Sequence, residues 1–271
     1  MTAIVNRDGI LKGKVAVVTG ASRGIGEHIA LRYAQEGARV IVSARTVEDG
    51  DHILPGSINS VVARIRAAGG EATAIRCDLS KSDDREALIK GAESAYGPVD
   101  ILVNNGAVTY FIPVGEFPER RFKVMMEVQV YAPFHLAQLV LPGMRERKSG
   151  SILNVSSHAA IHPQLKAAHI GGTVYGMCKA ALERFTTGLA SEVYADGIGV
   201  NVISPGLIAT PGAVFFKLVT PENEHTVTPP EHMAEACLRL VQGGPSVITG
   251  RITYADDMVK EFGLKPAELI A

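Results

Sequence analysis

The stretch Thr19-Gly20-Ala21-Ser22-Arg23-Gly24-Ile25-Gly26 directly follows the apolar run Lys14–Thr19 (KVAVVT) and opens a helix-like segment, Gly24–Glu36. A glycine-rich turn between a strand and a helix brings backbone N–H groups close to a pyrophosphate. The helix N-terminus adds partial positive charge at the same place. The spacing is G-x-x-x-G-x-G and not G-x-G-x-x-G, so the pattern alone is also compatible with a tight turn that binds nothing. With its flanking strand and helix, the segment Gly20, Ser22, Arg23, Gly24, Ile25 and Gly26 reads as a dinucleotide cradle.

Outward from this turn, short β-branched runs alternate with helix-like stretches. The expected strands are Lys14–Thr19, Arg39–Ser43, Ala72–Cys77, Val99–Val103, Gly150–Val155, Gly199–Ile203 and a last one near Val247–Tyr254. Between them lie helices expected at 24–36, 58–68, 83–96, 119–147, 175–194 and 231–241. Continuous apolar strands separated by helices predict a doubly wound α/β fold, a parallel sheet covered on both faces. Ligands then belong at the carboxyl ends of the strands. No linker or repeat interrupts the pattern, so residues 1–271 are expected to form one domain. Two irregular segments, 46–57 and 211–230, begin just past strand ends on the ligand side.

Composition excludes several classes. Lysine and arginine number 27 against 28 acids, a net charge of −1, which advertises neither nucleic acid nor an anionic surface. The cysteines, Cys77, Cys178 and Cys237, are odd in number and form no CxxC, which argues against a disulfide or zinc framework. The first fourteen residues lack an apolar signal core, and no run approaches the ~18 apolar residues of a membrane span. A cytoplasmic protein without a membrane span is therefore expected.

The end of the second expected strand selects between cofactors. A site for NAD usually places an acid there for the ribose 2′-OH. This chain has Val42-Ser43-Ala44-Arg45-Thr46 instead. Arg45, with Arg23 converging from the glycine turn, suits the 2′-phosphate of NADP; the alternative is that both are solvated surface charges.

Tyr175 and Lys179 stand four apart, on one helical face. An ammonium beside a phenol stabilises phenolate, which readies a tyrosine to exchange a proton with an alcohol or carbonyl oxygen. Alone, Y-x-x-x-K is ordinary on amphipathic helices. After a glycine turn and a serine pair, Ser156-Ser157, that closes a strand, it becomes a catalytic pattern.

With these pieces the chain resembles the short-chain dehydrogenase/reductase family over nearly its whole length. The resemblance rests on TGASRGIG (19–26), CDL (77–79), VDILVNNGA (99–107), GSILNVSS (150–157), YGMCK (175–179) and VNVISPGLIAT (200–210). It implies a seven-stranded Rossmann sheet and nicotinamide-dependent interconversion of alcohols and carbonyls. It further implies Tyr175 as general acid/base, Lys179 on the nicotinamide ribose and Ser157 on the substrate oxygen. Asp78 and Leu79 would flank the adenine, and Asn105 and Gly106 would sit at a strand end near the cofactor. Pro205, Gly206, Ile208 and Thr210 would cup the carboxamide, and a homotetramer or dimer would form through the long helices.

Two positions depart from the family pattern. The usual N-N-A-G is Asn104-Asn105-Gly106-Ala107, and the usual V-N-x asparagine, which holds a proton-relay water, is Gln129. These departures leave room for a different class of reading, an NADP(H)-binding sensor or scaffold without efficient catalysis. Dehydration or epimerisation on the same frame also stays open. Between Ser157 and Tyr175 the chain carries His158, His162 and His169, whose spacing fits no metal motif and is read as a substrate-lining loop. The 46–57 insertion, with Leu54-Pro55-Gly56, resembles the subgroup of hydroxysteroid dehydrogenase-like and citronellol dehydrogenases and hints at a bulky apolar substrate. In the 211–230 loop, Ala213, Val214, Phe215, Phe216 and Leu218 form either a lid or helix core.

Overall fold

Val17, in the middle of the first strand, pairs with Ile41 on one side and Leu102 on the other, and it is fully buried. In a strand, neighbouring side chains leave on opposite faces, so a sheet covered twice needs apolar residues at every position. Strand β1 (Val15–Thr19) meets that demand. Ala16 and Val18 join one core with Ile29, Ala30 and Tyr33, while Val17 joins a second core with Leu88, Leu136 and Val140.

The computed structural model describes residues 4–165 and 171–270. In chain order the elements are β1, α1 (Gly24–Gln35), β2 (Arg39–Ala44), α2 (Ile58–Ala67), β3 (Glu71–Arg76), α3 (Ser82–Tyr96) and β4 (Ile101–Asn104). They continue with α4 (Glu119–Met126), a π-turn (Glu127–Tyr131), α5 (Ala132–Arg147), β5 (Gly150–Val155), α6 (Thr173–Glu192) and β6 (Ile198–Ser204). The chain ends with α7 (Pro211–Phe215), α8 (Pro230–Val241), β7 (Ile252–Tyr254) and α9 (Ala255–Phe262). All seven strands form one parallel sheet in the order β3-β2-β1-β4-β5-β6-β7. This is the doubly wound Rossmann arrangement expected from the alternation. The order reverses between β1 and β4, which opens a crevice at their carboxyl ends.

Two elements differ from expectation, and one alternative left open by the sequence is decided. The last strand is only three residues long, because Gly250 bends the chain at φ +70 and its N–H is taken by Val200 O at 2.8 Å. The helix expected over 119–147 is continuous but carries the π-turn. Pro133 has no N–H for the carbonyl of Gln129 and crowds it, which is the physical reason for the wider turn. By length and mean composition this helix could cross a membrane, although Glu127, Gln129, His135 and Gln138 interrupt its apolar stretch, half of which is buried in the fold. Its buried residues, among them Leu136, Val140 and Met144, pack against the sheet. Finally, Val214, Phe215, Phe216 and Leu218 are exposed and therefore are not helix core.

Arg85, on α3, is the largest fully buried side chain. It donates to Glu127 Oε1 and Ser82 Oγ at 2.8 Å, to the carbonyl of Leu79, and to His135 Nδ1 at 3.0 Å. A buried guanidinium requires this saturation. The result ties the chain after β3 to the start of the π-turn.

Candidate active site

The carboxyl ends of β1 and β4 are locked together by Thr19. Its Oγ1 donates to Val103 O and accepts from the N–H groups of Asn105 and Gly106, each at 3.1 Å. Asn105 Nδ2 returns hydrogen bonds to the carbonyls of Thr19 (2.9 Å) and Gly20 (3.1 Å). A Cβ on Gly20, which has φ +64, would lie 2.6 Å from Gly106 Cα. Glycine is therefore required here by the turn's own packing, in addition to any ligand. In the exchanged pair, a Cβ on Gly106 would meet Leu79 Cδ1 at 2.5 Å, whereas the methyl of Ala107 is exposed on the wall of the crevice.

That crevice has a volume of about 650 Å³ and brings together Gly20, Ser22, Arg23, Arg45, Thr46, Asp78, Leu79, Asn105 and Gly106. Gly24, Ile25 and Gly26 begin α1 beside it. The size, the exposed Arg45 and the helix start suit a dinucleotide. Burial disfavours the Asp78 carboxylate, but hydrogen bonds from Ser80 and the charge of Arg45 outweigh it and hold the group below its usual range.

Arg23 is more occupied than its position in the turn suggests. Its Nε donates to Pro55 O (2.8 Å), and its Nη2 to Gly56 O (2.8 Å), Thr46 Oγ1 (3.2 Å) and Leu54 O (3.3 Å). The 46–57 insertion thus folds over the glycine turn. From this loop Asp51 and His52 enter the crevice wall, which the sequence reading did not foresee. Burial, then the charges of Arg23 and Arg45, lower the His52 pKa.

At the catalytic end, α6 approaches the turn after β5 so closely that a Cβ on Gly176 would sit 2.5 Å from Ala159 O. This approach brings the Tyr175 phenol into the neighbourhood of the Ser157 hydroxyl. Ser157 Oγ accepts from Ala159 N at 3.2 Å. Burial raises the Tyr175 pKa and the neighbouring Ser157 hydroxyl pulls it partly back. Lys179 is buried with its Nζ 5.6 Å from the Tyr175 ring centre, donating to Val155 O at 2.9 Å. Burial pushes its pKa down to about 8. The expected lowering of the tyrosine pKa by this lysine is absent from this geometry, since the ammonium is directed at a carbonyl and the phenol is desolvated.

Gln129, held inward by the π-turn, donates from Nε2 to Val108 O at 2.8 Å, and its Oε1 is buried without a partner. Phe111, not singled out in the sequence, stands edge-on to Tyr175 with ring centres 5.8 Å apart. Pro205 and Gly206 line a neighbouring cavity of about 330 Å³ with His158 and Tyr254, whose rings stack at 4.4 Å. Ile208 is buried, and Thr210 caps α7 while its Cγ2 lies 3.1 Å from where a Cβ of Gly24 would be. His162 is exposed, and His169 falls outside the described residues. Among the described residues no three His, Cys, Asp or Glu side chains form a metal-holding group.

A Rossmann sheet with a dinucleotide-sized crevice at its strand ends, together with a Ser-Tyr-Lys set, defines an oxidoreductase of the nicotinamide-using type. The profile described as short chain dehydrogenase matches residues 14–216, and the chain belongs to the short-chain dehydrogenase/reductase family. It is 36% identical over 251 residues to the 7alpha-hydroxysteroid dehydrogenase of Escherichia coli (strain K12), covering 89% of this chain and 92% of that protein. To the hydroxysteroid dehydrogenase-like protein 2 of Xenopus tropicalis it is 31% identical, covering 97% of this chain and 61% of that one. Among solved structures, a metagenomic short-chain oxidoreductase in complex with NADP superimposes with a TM-score of 0.73 at 31% identity, covering 89% of this chain and 97% of that one.

Proposed function

We propose that this oxidoreductase interconverts an alcohol and a ketone or aldehyde with NADP(H), with Tyr175 as the general acid/base. The observation that carries the proposal is the grouping of Ser157, Tyr175 and the buried Lys179 in a fold whose strand-end crevice exposes Arg45. When bound, the nicotinamide supplies or accepts a hydride at the substrate carbon. The protein's part is to hold the substrate oxygen between Ser157 and Tyr175, where negative charge grows, and to move the phenolic proton. Burial keeps Tyr175 protonated and able to donate that proton to a carbonyl oxygen. Lys179 would bind the ribose and stabilise the phenolate left behind.

Binding of the rest of the cofactor falls to Gly20, Ser22, Gly24, Ile25 and Gly26 at the pyrophosphate and to Asp78 and Leu79 at the adenine. Asn105 and Gly106 would support the ribose side, with Pro205, Gly206, Ile208 and Thr210 at the carboxamide. NADP over NAD is supported by the missing acid after β2 and by Arg45. For Arg45→Asp, fluorescence titration is expected to give about a tenfold or greater loss of NADPH affinity with NADH unchanged or improved. Equal loss of both would remove the 2′-phosphate role.

The substrate is proposed to be bulky and apolar. Phe111, Ile161, Phe215 and Phe216 are all exposed, and Phe111 borders Tyr175. Hydroxysteroid dehydrogenases among the relatives agree with this choice. Oxidation of NADPH across a panel of cyclic ketones and short aldehydes tests it, with turnover expected on the bulky members. The exposed rings of Phe122, Tyr131 and Phe134 along the long helix support self-association through that face.

The unpartnered Gln129 Oε1 favours a second reading, a cofactor-binding protein with weakened catalysis. Gln129→Asn separates the two. The shorter amide releases space for a relay water, and kcat is expected to rise about tenfold with the NADPH Kd unchanged. An unaltered low rate in both proteins, with tight NADPH binding and no turnover on any panel member, favours the sensor.

A further inference from the structure

We propose that the 46–57 loop is a built part of the cofactor site, clamping Arg23 and presenting His52 beside Arg45 to the 2′-phosphate. This inference rests on the NADP(H) reading and specifies which groups make the phosphate end.

The loop has no helix or strand, yet it is fastened throughout. Ile58 N–H donates to Thr46 O at 3.1 Å, and Ser57 and Ser60 form a reciprocal cap at the start of α2. Asn59 Nδ2 donates to Glu48 Oε1 at 2.6 Å. Gly56, at φ +99, lies so close to the glycine turn that a Cβ there would be 2.5 Å from Ser22 O. Three successive carbonyls, those of Leu54, Pro55 and Gly56, converge on the Arg23 guanidinium. Three carbonyls aimed at one fork fix its plane and leave Nη1 as the end without a protein acceptor among the described residues. Arg23 thereby acts mainly as the post to which the loop is tied.

His52 is on the crevice side of that loop. Its Nδ1 accepts from Leu54 N–H at 3.1 Å, which places the ring proton on Nε2 and leaves that N–H to donate. The ring lies in the field of both Arg23 and Arg45, so the three groups share one region. Acidic groups are also nearby. Asp49 acts on Arg23, and Asp51 lines the crevice, but Asp51 Oδ2 already accepts from the N–H groups of Val47 (3.1 Å) and Glu48 (2.9 Å). Asp51 is thus used to shape the loop, and Asp78 on the facing wall is engaged by Ser80, while the donors remain Arg45, His52 and the free end of Arg23.

The test is equilibrium binding of NADPH and NADH to the full chain, followed by nucleotide fluorescence. Wild type is expected to prefer NADPH. His52→Ala, at an exposed position, is expected to weaken NADPH about fivefold and leave NADH within about twofold, because only the 2′-phosphate loses a donor. Equal shifts for both nucleotides, or none, would overturn the role of His52 while leaving the NADP(H) reading intact. A wild type without preference overturns that reading and the inference together. The clamp is tested by limited trypsinolysis: Arg23→Met is expected to speed cleavage after Arg45 at unchanged far-UV circular dichroism. Protection equal to wild type would show that the loop stands without Arg23.

Discussion

Tyr175→Phe is expected to lower kcat at least ~10³-fold, within the range that general acid/base and oxyanion donors contribute, while the NADPH Kd stays within about twofold. The variant removes one oxygen and keeps the ring. The edge-on contact with Phe111 at 5.8 Å and the packing of α6 through Gly176 both survive, so the fold and the crevice are retained. What disappears is the phenolic proton donor beside Ser157. Ser157 can still polarise the substrate oxygen. Residual rate then measures what the serine and the cofactor geometry achieve without proton transfer. Steady-state kinetics on the best ketone of the panel and a fluorescence titration give the two numbers. A variant retaining a tenth of the wild-type rate would remove Tyr175 from the acid/base role. A variant that no longer bound NADPH would make it a structural residue.

The sheet was legible because burial on both faces leaves a periodic trace. Every residue of β1 is buried, and Val15–Val18 appear as an uninterrupted apolar run; β5 is buried throughout as well, but its Ser151 and Asn154 break the run. The glycine turn was legible for a related reason: Gly20 and Gly24 have positive φ, which few other residues adopt. Tyr175, Lys179 and Ser157 could be placed because one helix face and one strand end carry them. The partners of Arg23 could not be read, since they are backbone carbonyls in a loop, and any residue supplies a carbonyl. The insertion was visible by its length, but its function lies in where the chain runs after Arg45. The π-turn did leave a signal in Pro133, four residues after Gln129, which the periodicity of the long helix masked. Phe111 comes to Tyr175 only because Gly171 allows close passage. A Cβ there would be 2.9 Å from Phe111 C, a tertiary fact with no local pattern.

Lys179→Met is expected to abolish most turnover and at the same time to stabilise the cofactor-free fold near pH 7. The wild-type ammonium is buried, and that burial lowers its pKa to about 8 from the 10.5 of an exposed lysine. Between those two values the unfolded chain holds a proton that the folded chain has released, so folding stability rises with pH across that window. Below about pH 8 both states are protonated, and the folded protein carries the cost of a desolvated cation in full, ~3 kcal/mol at ~1.4 kcal/mol per pH unit. Methionine has no charge to bury and fills a similar volume, but it leaves Val155 O without the bond it now accepts at 2.9 Å. Losing that bond costs ~1 kcal/mol, so a net gain of ~2 kcal/mol is expected at pH 7. As pH rises toward 10 the wild type recovers its penalty and the two proteins should converge. Urea unfolding at pH 7 and pH 9.5, with kcat measured on the same samples, checks both halves. A methionine variant less stable than wild type at pH 7 would mean that Lys179 anchors the end of β5 and that its burial is structural. The expected result carries a different meaning. A cation kept in the core against its own solvation, with the Glu183 charge offsetting only part of that cost, is retained because the chemistry beside Tyr175 needs it, and the fold tolerates the remainder.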